Sequence, residues 1–159
     1  MKILTALALA ASVAACATAP KPLQGQFSAV IPSDAARTEA SGELVRWGGR
    51  IVSVQPESQR TCFEIVGAPL DASGRPRKVD RSDGRFFACR LGFYEPQVFQ
   101  PGREITISGH LEGVETRKVG DFDYRYPRVA ADVVYLWPER RARDVYVRPS
   151  LMFGWSGRW

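Results

Sequence analysis

Apolar and polar residues alternate along the middle of the chain with the period of β-strands. Five segments show this alternation or are rich in the β-branched and aromatic residues that favour strands. In one of them, Ile105, Ile107 and Leu111 share a face of the predicted strand. A helical period occurs only around residues 34–43, so the sequence predicts an all-β domain. The five segments are 44–54, 61–66, 85–91, 104–111 and 129–137.

Five strands within about 95 residues predict a small barrel or a two-sheet sandwich. Gly48 and Gly49 lie in the first predicted strand and Gly109 lies in the fourth. A strand of a small barrel bends sharply at such positions, because glycine has no side chain to obstruct the bend. We therefore expect a five-stranded, OB-like, partly open barrel, with the sandwich as the alternative.

The N-terminus has the layout of a bacterial secretion signal. Lys2 is followed by an apolar run at 3–15, shorter than the roughly 20 residues of a membrane-spanning helix. The run ends in Val13-Ala14-Ala15-Cys16, which resembles a lipobox, the motif in which the cysteine is acylated and becomes the first residue. The sequence predicts a signal peptide at 1–15 and a lipid anchor on Cys16. An ordinary signal peptide cleaved after Ala15 is the alternative.

Three regions follow the predicted cleavage site. Residues 16–40 are rich in proline and small polar residues, which predicts a flexible tether behind the acylated cysteine. The β-domain is expected at 41–138 and a C-terminal tail at 139–159. Ala17 follows the cysteine, where inner-membrane lipoproteins often carry aspartate. This resemblance to lipoprotein sorting implies the outer membrane, with the domain facing the periplasm.

A series of short segments in the β-domain carries a family resemblance. They are VRWGGRI at 45–51, FEIV at 63–66, PLD at 69–71, GRP at 74–76, GRF at 84–86, GR at 102–103, IT at 105–106 and YP at 126–127. Their order and spacing resemble the Slp family of starvation-inducible outer-membrane lipoproteins. The resemblance implies a lipid-anchored periplasmic domain with no assigned enzymatic activity, and it transfers no catalytic residue.

The expected function is therefore non-enzymatic: envelope maintenance or interaction with other envelope proteins. The alternative is a binding module for an oligosaccharide or another envelope polymer, since OB-like barrels bind oligomers through loops and an exposed sheet face. Phe86, Phe87, Phe93 and Tyr94 could stack on such a ligand. Packing in the core is the commoner fate of aromatic side chains.

Cys62 and Cys89 remain once Cys16 is assigned to lipid, and both lie on predicted strands. Two cysteines left over in a secreted chain usually pair in the oxidising periplasm. The sequence favours a disulfide between them, and two buried free thiols are the alternative.

The remaining polar residues offer little catalytic chemistry. His110 is the one histidine, and no cluster of cysteine and carboxylate residues accompanies it, so we expect no metal site. Ser108 lies two residues away but stands in no nucleophile motif. Asp121 and Asp123 fit a solvated turn. We expect no catalytic residue and no cofactor.

Charge is unevenly distributed along the chain. Residues 16–137 carry sixteen basic and fifteen acidic side chains, whereas residues 138–159 carry five arginines and two acids. The polar loop 69–84 is nearly balanced, which indicates a solvated surface loop. A barrel that binds nucleic acid carries its basic stripe on the barrel itself, so we expect no nucleic-acid partner.

The tail combines arginine with tryptophan, which suits an anionic lipid surface or a partner protein. The alternative is a coil that folds back and buries its aromatic rings on the barrel. The residues expected to contact a membrane or a partner are Arg140, Arg141, Arg143, Trp155 and Trp159.

Overall fold

A computed structural model describes residues 18–140 of the chain. The strands are β1 (Leu44–Pro56), β2 (Arg60–Ala68), β3 (Gly84–Leu91), β4 (Glu104–Val119) and β5 (Phe122–Leu136). They form one barrel in the order β1-β2-β3-β5-β4, with β4 pairing back to β1. The prediction of a five-stranded OB-like barrel is confirmed.

The barrel is closed, whereas the sequence predicted a partly open one. The closing seam is short: β3 and β5 run parallel and pair at Phe87–Arg128, Ala88–Val129 and Cys89–Ala130. The other four seams are antiparallel and longer. Periodicity cannot reveal this seam, because three residue pairs leave no pattern of their own along either strand.

Apolar side chains from all five strands fill the barrel interior. Phe63, Ile65, Phe86 and Ile105 have no exposed surface. The inner faces of β1, β4 and β5 complete this core with Val45, Trp47, Ile51, Ile107, Leu111 and Val129.

Two glycines allow neighbouring strands to approach closely. A Cβ on Gly49 would lie 1.9 Å from the carbonyl oxygen of Val66, and one on Gly109 would lie 2.0 Å from that of Ala130. No side chain fits at such distances. The pairing of β4 with β5 shifts register next to Gly109, which fits the bend predicted there.

The hairpin of β4 and β5 extends well beyond the predicted strands. The sequence predicted β4 only to residue 111 and β5 only from residue 129, but the two strands pair continuously out to Val119 and Phe122. Most side chains at 112–125 are exposed or half-buried. The extension therefore lacks the apolar face that reveals a strand in a sequence.

Residues 18–40 differ from the flexible tether that their composition predicts. They contain a 3₁₀ turn (Lys21–Leu23) and the helix α1 (Pro32–Thr38). Leu23 and Ala35 are fully buried, and Trp47 Nε1 donates a hydrogen bond of 2.7 Å to the Val30 carbonyl. A few buried apolar residues fix this segment on the barrel, although they are too sparse to give a period. Neither the turn nor α1 has the length and hydropathy that crossing a bilayer requires.

Candidate functional site

The outer face of β2 and β3 is the surface through which OB-like barrels bind oligomers. In this protein the β4–β5 hairpin folds across that face. Tyr126 Oη donates a hydrogen bond of 2.8 Å to Glu64 Oε1, and the Arg85 backbone N–H donates one of 3.0 Å to Tyr124 Oη. Arg85 Nη1 lies 2.8 Å from the same Glu64 oxygen. Side chains of the protein's own hairpin therefore take up Glu64 and the Arg85 backbone N–H on this face.

Aromatic packing covers the same surface. The Tyr126 ring lies 4.8 Å from the Phe87 ring and 5.0 Å from the Tyr124 ring, centroid to centroid. The Arg117 guanidinium sits 4.1 Å from the Phe87 ring centroid. Only 1% of the surface of Tyr126 is exposed. The outward aromatic ring of β3 is thus covered and unavailable to stack on a ligand.

The environment of Tyr126 changes its acidity. Burial raises the pKa of Tyr126 to about 12, and the hydrogen bond to Glu64 and the negative charge of Glu64 act in the same direction. The phenol therefore remains a hydrogen-bond donor across the physiological pH range.

Of the four aromatic residues considered for ligand stacking, only one is freely exposed. Phe86 and Phe87 are buried, and Tyr94 packs against Phe63 and Phe99. Phe93 is 69% exposed, in the connection between β3 and β4. A lone ring does not form a stacking platform.

The second notable surface is a cavity of about 490 Å³ where β4 begins and β5 ends. We call it the cationic cavity because Arg50, Arg75, Lys78, Arg103 and Arg140 line it. Glu104 and Glu139 are the two acidic side chains in its lining, which leaves a formal charge of +3.

Glu104 organises one wall of the cationic cavity. Its carboxylate lies 2.6 Å from Arg75 Nε and 3.1 Å from Arg140 Nε. Burial raises the pKa of Glu104, but the hydrogen bonds and charges of Arg140 and Arg75 outweigh burial and lower the pKa overall. Arg75 also lies 5.4 Å from the Trp137 ring centroid. Both guanidiniums are therefore held in place.

The other cations of the cavity differ in how far they are constrained. Arg103 donates hydrogen bonds of 3.1 Å to the carbonyls of Val98 and Trp137. Arg50 and Lys78 are exposed and form no ion pair with any residue in 18–140. Within residues 18–140, two cations without an ion-pair partner thus lie beside three that the protein holds in place.

Counting charges along short stretches of the sequence did not predict the cationic cavity. Arg75 and Lys78 lie in the loop 69–84, whose balanced charge predicted only a solvated surface. The other three cations come from β1, from the residue before β4 and from the end of the described chain. Only the fold brings the five together, and no feature of the sequence signals it.

The structure brings the two predicted disulfide partners together. Cys62 on β2 and Cys89 on β3 are directly opposed in the strand register. Their Sγ atoms lie 2.09 Å apart.

Ser108 and His110 do not form a catalytic pair. Ser108 is buried, whereas His110 points to solvent with Nδ1 3.4 Å from Asp132 Oδ2. Neither residue lines the cationic cavity or the two cavities of about 510 and 460 Å³ beside the loop 69–84. Residues 18–140 contain no group of three or more metal-ligating side chains.

Several predicted site residues lie outside the described part of the chain. They are Cys16, Arg141, Arg143, Trp155 and Trp159. Of the predicted tail contacts, only Arg140 is described, and it binds Glu104 and the Pro76 carbonyl on the barrel.

Comparison with known proteins shows what the chain is similar to. A small single-stranded DNA-binding protein from Streptomyces coelicolor superposes with a TM-score of 0.40 at 9% identity, over 61% of this chain and 95% of that one. An uncharacterized protein of Haemophilus influenzae is 32% identical over 82% of this chain and 73% of its own length. The Escherichia coli lipoprotein YeaY is also 32% identical, over 70% of this chain and 59% of its own length.

A family model covers nearly the whole chain. The Escherichia coli outer membrane protein Slp is 24% identical over 82% of this chain and 72% of its own length. The model of the outer membrane lipoprotein Slp family matches residues 13–159. The chain therefore belongs to the Slp family and is a lipid-anchored protein of the outer membrane.

Proposed function

We propose that this protein is a non-enzymatic module, held by acyl chains on Cys16, that maintains the cell envelope through contacts of its outer surface. The observation that carries the proposal is the filled, closed barrel whose β2–β3 face is covered by its own hairpin. The hairpin covers Glu64, Arg85 and Phe87, so an oligosaccharide cannot stack on the part of this face that carries the aromatic ring. The domain therefore acts through its loops and barrel ends.

The location supports a role at the membrane surface. Two acyl chains or more give stable anchoring, because each buried CH₂ contributes about 0.8 kcal/mol. The anchor confines the barrel to a thin layer beside the bilayer, where weak contacts with lipid headgroups or other envelope proteins are favoured by a high local concentration.

Complementation of a deletion strain tests this function. We expect the deletion to raise envelope permeability to a dye that intact cells exclude, and the wild-type gene to restore the barrier. Cys16→Ser should fail to restore it, because the barrel is released from the membrane. A double variant, Ser108→Ala with His110→Ala, should restore it fully.

Each other outcome contradicts part of the proposal. Unchanged permeability in the deletion strain contradicts envelope maintenance. Full restoration by Cys16→Ser contradicts the need for the anchor. Failure of the serine–histidine double variant at a normal protein level points to an enzyme.

A further inference from the structure

We propose that the cationic cavity binds the phosphate of an anionic phospholipid headgroup in the membrane to which the protein is anchored. The inference rests on the proposed function, because it places the barrel beside the bilayer. It adds to that function a site and the chemistry of its ligand.

The first support is the charge and construction of the cavity. Five cationic and two acidic side chains line the cavity. One of those carboxylates, Glu104, is only 11% exposed and serves to hold Arg75 and Arg140 in position. A volume of about 490 Å³ is ample for a phosphodiester headgroup. Guanidinium groups suit phosphate because their planar donors match its oxygens.

The second support is that donors remain available. Arg50 and Lys78 are exposed and have no ion-pair partner within 18–140. Two unpaired cations on a rim of fixed guanidiniums carry excess charge, and an anion from outside the protein can neutralise it.

The third support is the distance to the anchor. A Cβ on Gly74 would lie 3.8 Å from Ala19 Cβ, and Gly74 immediately precedes Arg75 of the cavity. Ala19 is itself fixed, because Gln24 Nε2 donates a hydrogen bond of 2.8 Å to its carbonyl. Ala19 is three residue steps from Cys16, a reach of at most about 11 Å. The anchoring residue is therefore tethered within about 11 Å of Ala19, which itself lies against the loop that carries Arg75 and Lys78.

This proximity makes the headgroup layer the natural source of the anion. Electrostatic attraction to a charged membrane falls off within a Debye length, about 8 Å at physiological salt. The β4–β5 hairpin tip also carries cations, but it lies at the far end of β4 from Glu104. Lys118 and Arg125 there pair with Asp123 and Glu39, and neutralising them provides a control for net charge.

The test uses the full mature chain with Cys16→Ser, because acyl chains would hide headgroup binding. Binding is measured by flotation with phosphatidylcholine vesicles containing or lacking 30% phosphatidylglycerol. The cavity variant is Arg50→Gln with Lys78→Gln. The control is Lys118→Gln with Arg125→Gln, an equal change of charge on the hairpin. A further chain lacks residues 141–159, and inorganic phosphate serves as the free-ion probe.

We expect the parent to bind only vesicles that contain phosphatidylglycerol. The cavity variant should bind about 30-fold more weakly, from the usual contribution of two cations at a membrane surface, and the control should change less than about twofold. Both variants replace exposed side chains, so unchanged unfolding midpoints are expected. If the cavity variant does not fold, Lys78→Glu alone gives the same comparison.

Four results would overturn the inference. The first is a parent chain that is not retained on anionic vesicles. Both double variants could lose binding equally, which would show attraction by net charge. Binding could depend on residues 141–159 and not on the cavity. Inorganic phosphate could bind while vesicles do not. Because the test omits the anchor, these results are independent of whether Cys16 is acylated.

Discussion

Tyr126 and Glu64 are joined by a hydrogen bond of 2.8 Å that fastens the β4–β5 hairpin to the outer face of β2. The two residues are 62 positions apart in the sequence. Glu64 also accepts from Arg85 and from Ser53 Oγ, so one carboxylate ties together β1, β2, β3 and the hairpin. This contact turns the usual ligand face of the fold into an internal interface.

Removing the phenol should weaken that interface in a pH-dependent way. Tyr126→Phe is expected to lower the free energy of unfolding by about 1–2 kcal/mol at neutral pH, because a half-buried carboxylate loses a donor. The folded pKa of about 12 lies above the ordinary value of 10. The contribution is therefore complete below pH 10 and is lost as the pH rises through 12.

Urea unfolding and tyrosinate absorbance at 295 nm measure both effects. Wild type should show a tyrosine ionisation step near pH 12, and Tyr126→Phe should lack that step. If the wild type lacks this late step, the burial of the Tyr126 phenol by the hairpin is contradicted.

Oxidation of the cysteine pair should stabilise the domain. Cys62 and Cys89 are 27 positions apart. The loop-entropy relation gives about 3–4 kcal/mol for a crosslink of that span. Urea unfolding of the Cys16→Ser chain with and without reductant measures the difference. Thiol counting in denaturant without reductant should find no free thiol, and two free thiols would refute the pairing.

A methyl group on Gly49 should destabilise the barrel strongly. The added Cβ would meet the Val66 carbonyl oxygen at 1.9 Å, so β1 and β2 must separate. Gly49→Ala is expected to cost about 3 kcal/mol or more in unfolding free energy. Arg50→Gln, one residue further along β1, should cost less than about 0.5 kcal/mol. Equal stability of the two variants would mean that the strands are not so close.

Glu104→Gln should loosen the wall of the cationic cavity. The neutral amide leaves Arg75 and Arg140 without their charged acceptor, with an expected cost of about 2 kcal/mol. The folded pKa of Glu104 lies below its ordinary value of 4.5. Its contribution is present above pH 4.5 and is lost as the pH falls through the folded pKa.

Unfolding at pH 7 and pH 3 separates this effect from a general loss of packing. The difference between wild type and Glu104→Gln should shrink at pH 3. Glu139→Gln is the control, because that side chain is 77% exposed in the same cavity and lies 3.7 Å from Arg103. A loss of stability in Glu139→Gln as large as that in Glu104→Gln would contradict the role given to Glu104.

The sequence predicted the strand segments that bury one apolar face. It did not predict the segments that bury few apolar side chains. Ile105, Ile107 and Leu111 alternate because β4 faces the core there, so the strand was evident. Beyond Leu111 the same strand leaves the core, the alternation ends, and the hairpin that covers the β2–β3 face could not be foreseen. Leu23 is fully buried. Its segment contains too few apolar residues for the sequence to predict that it packs on the barrel.

The candidate sites show the same limit. The pairing of Cys62 with Cys89 is a prediction from their number and the compartment, and the strand register places the two residues opposite each other. The cationic cavity could not be predicted from the sequence, because Arg50, Arg75 and Lys78 are far from Arg103 and Arg140 along the chain. Contacts between distant segments depend on the strand order and on the conformation of the loops. The charge of a short segment predicts neither.

Attachment of the barrel to the membrane through Cys16 underlies both proposals about function. Mass spectrometry of the N-terminal peptide of the protein purified from membranes tests it directly. We expect the mature chain to begin at Cys16 and to carry acyl chains on that residue. A mature chain with an unmodified N-terminus would contradict it.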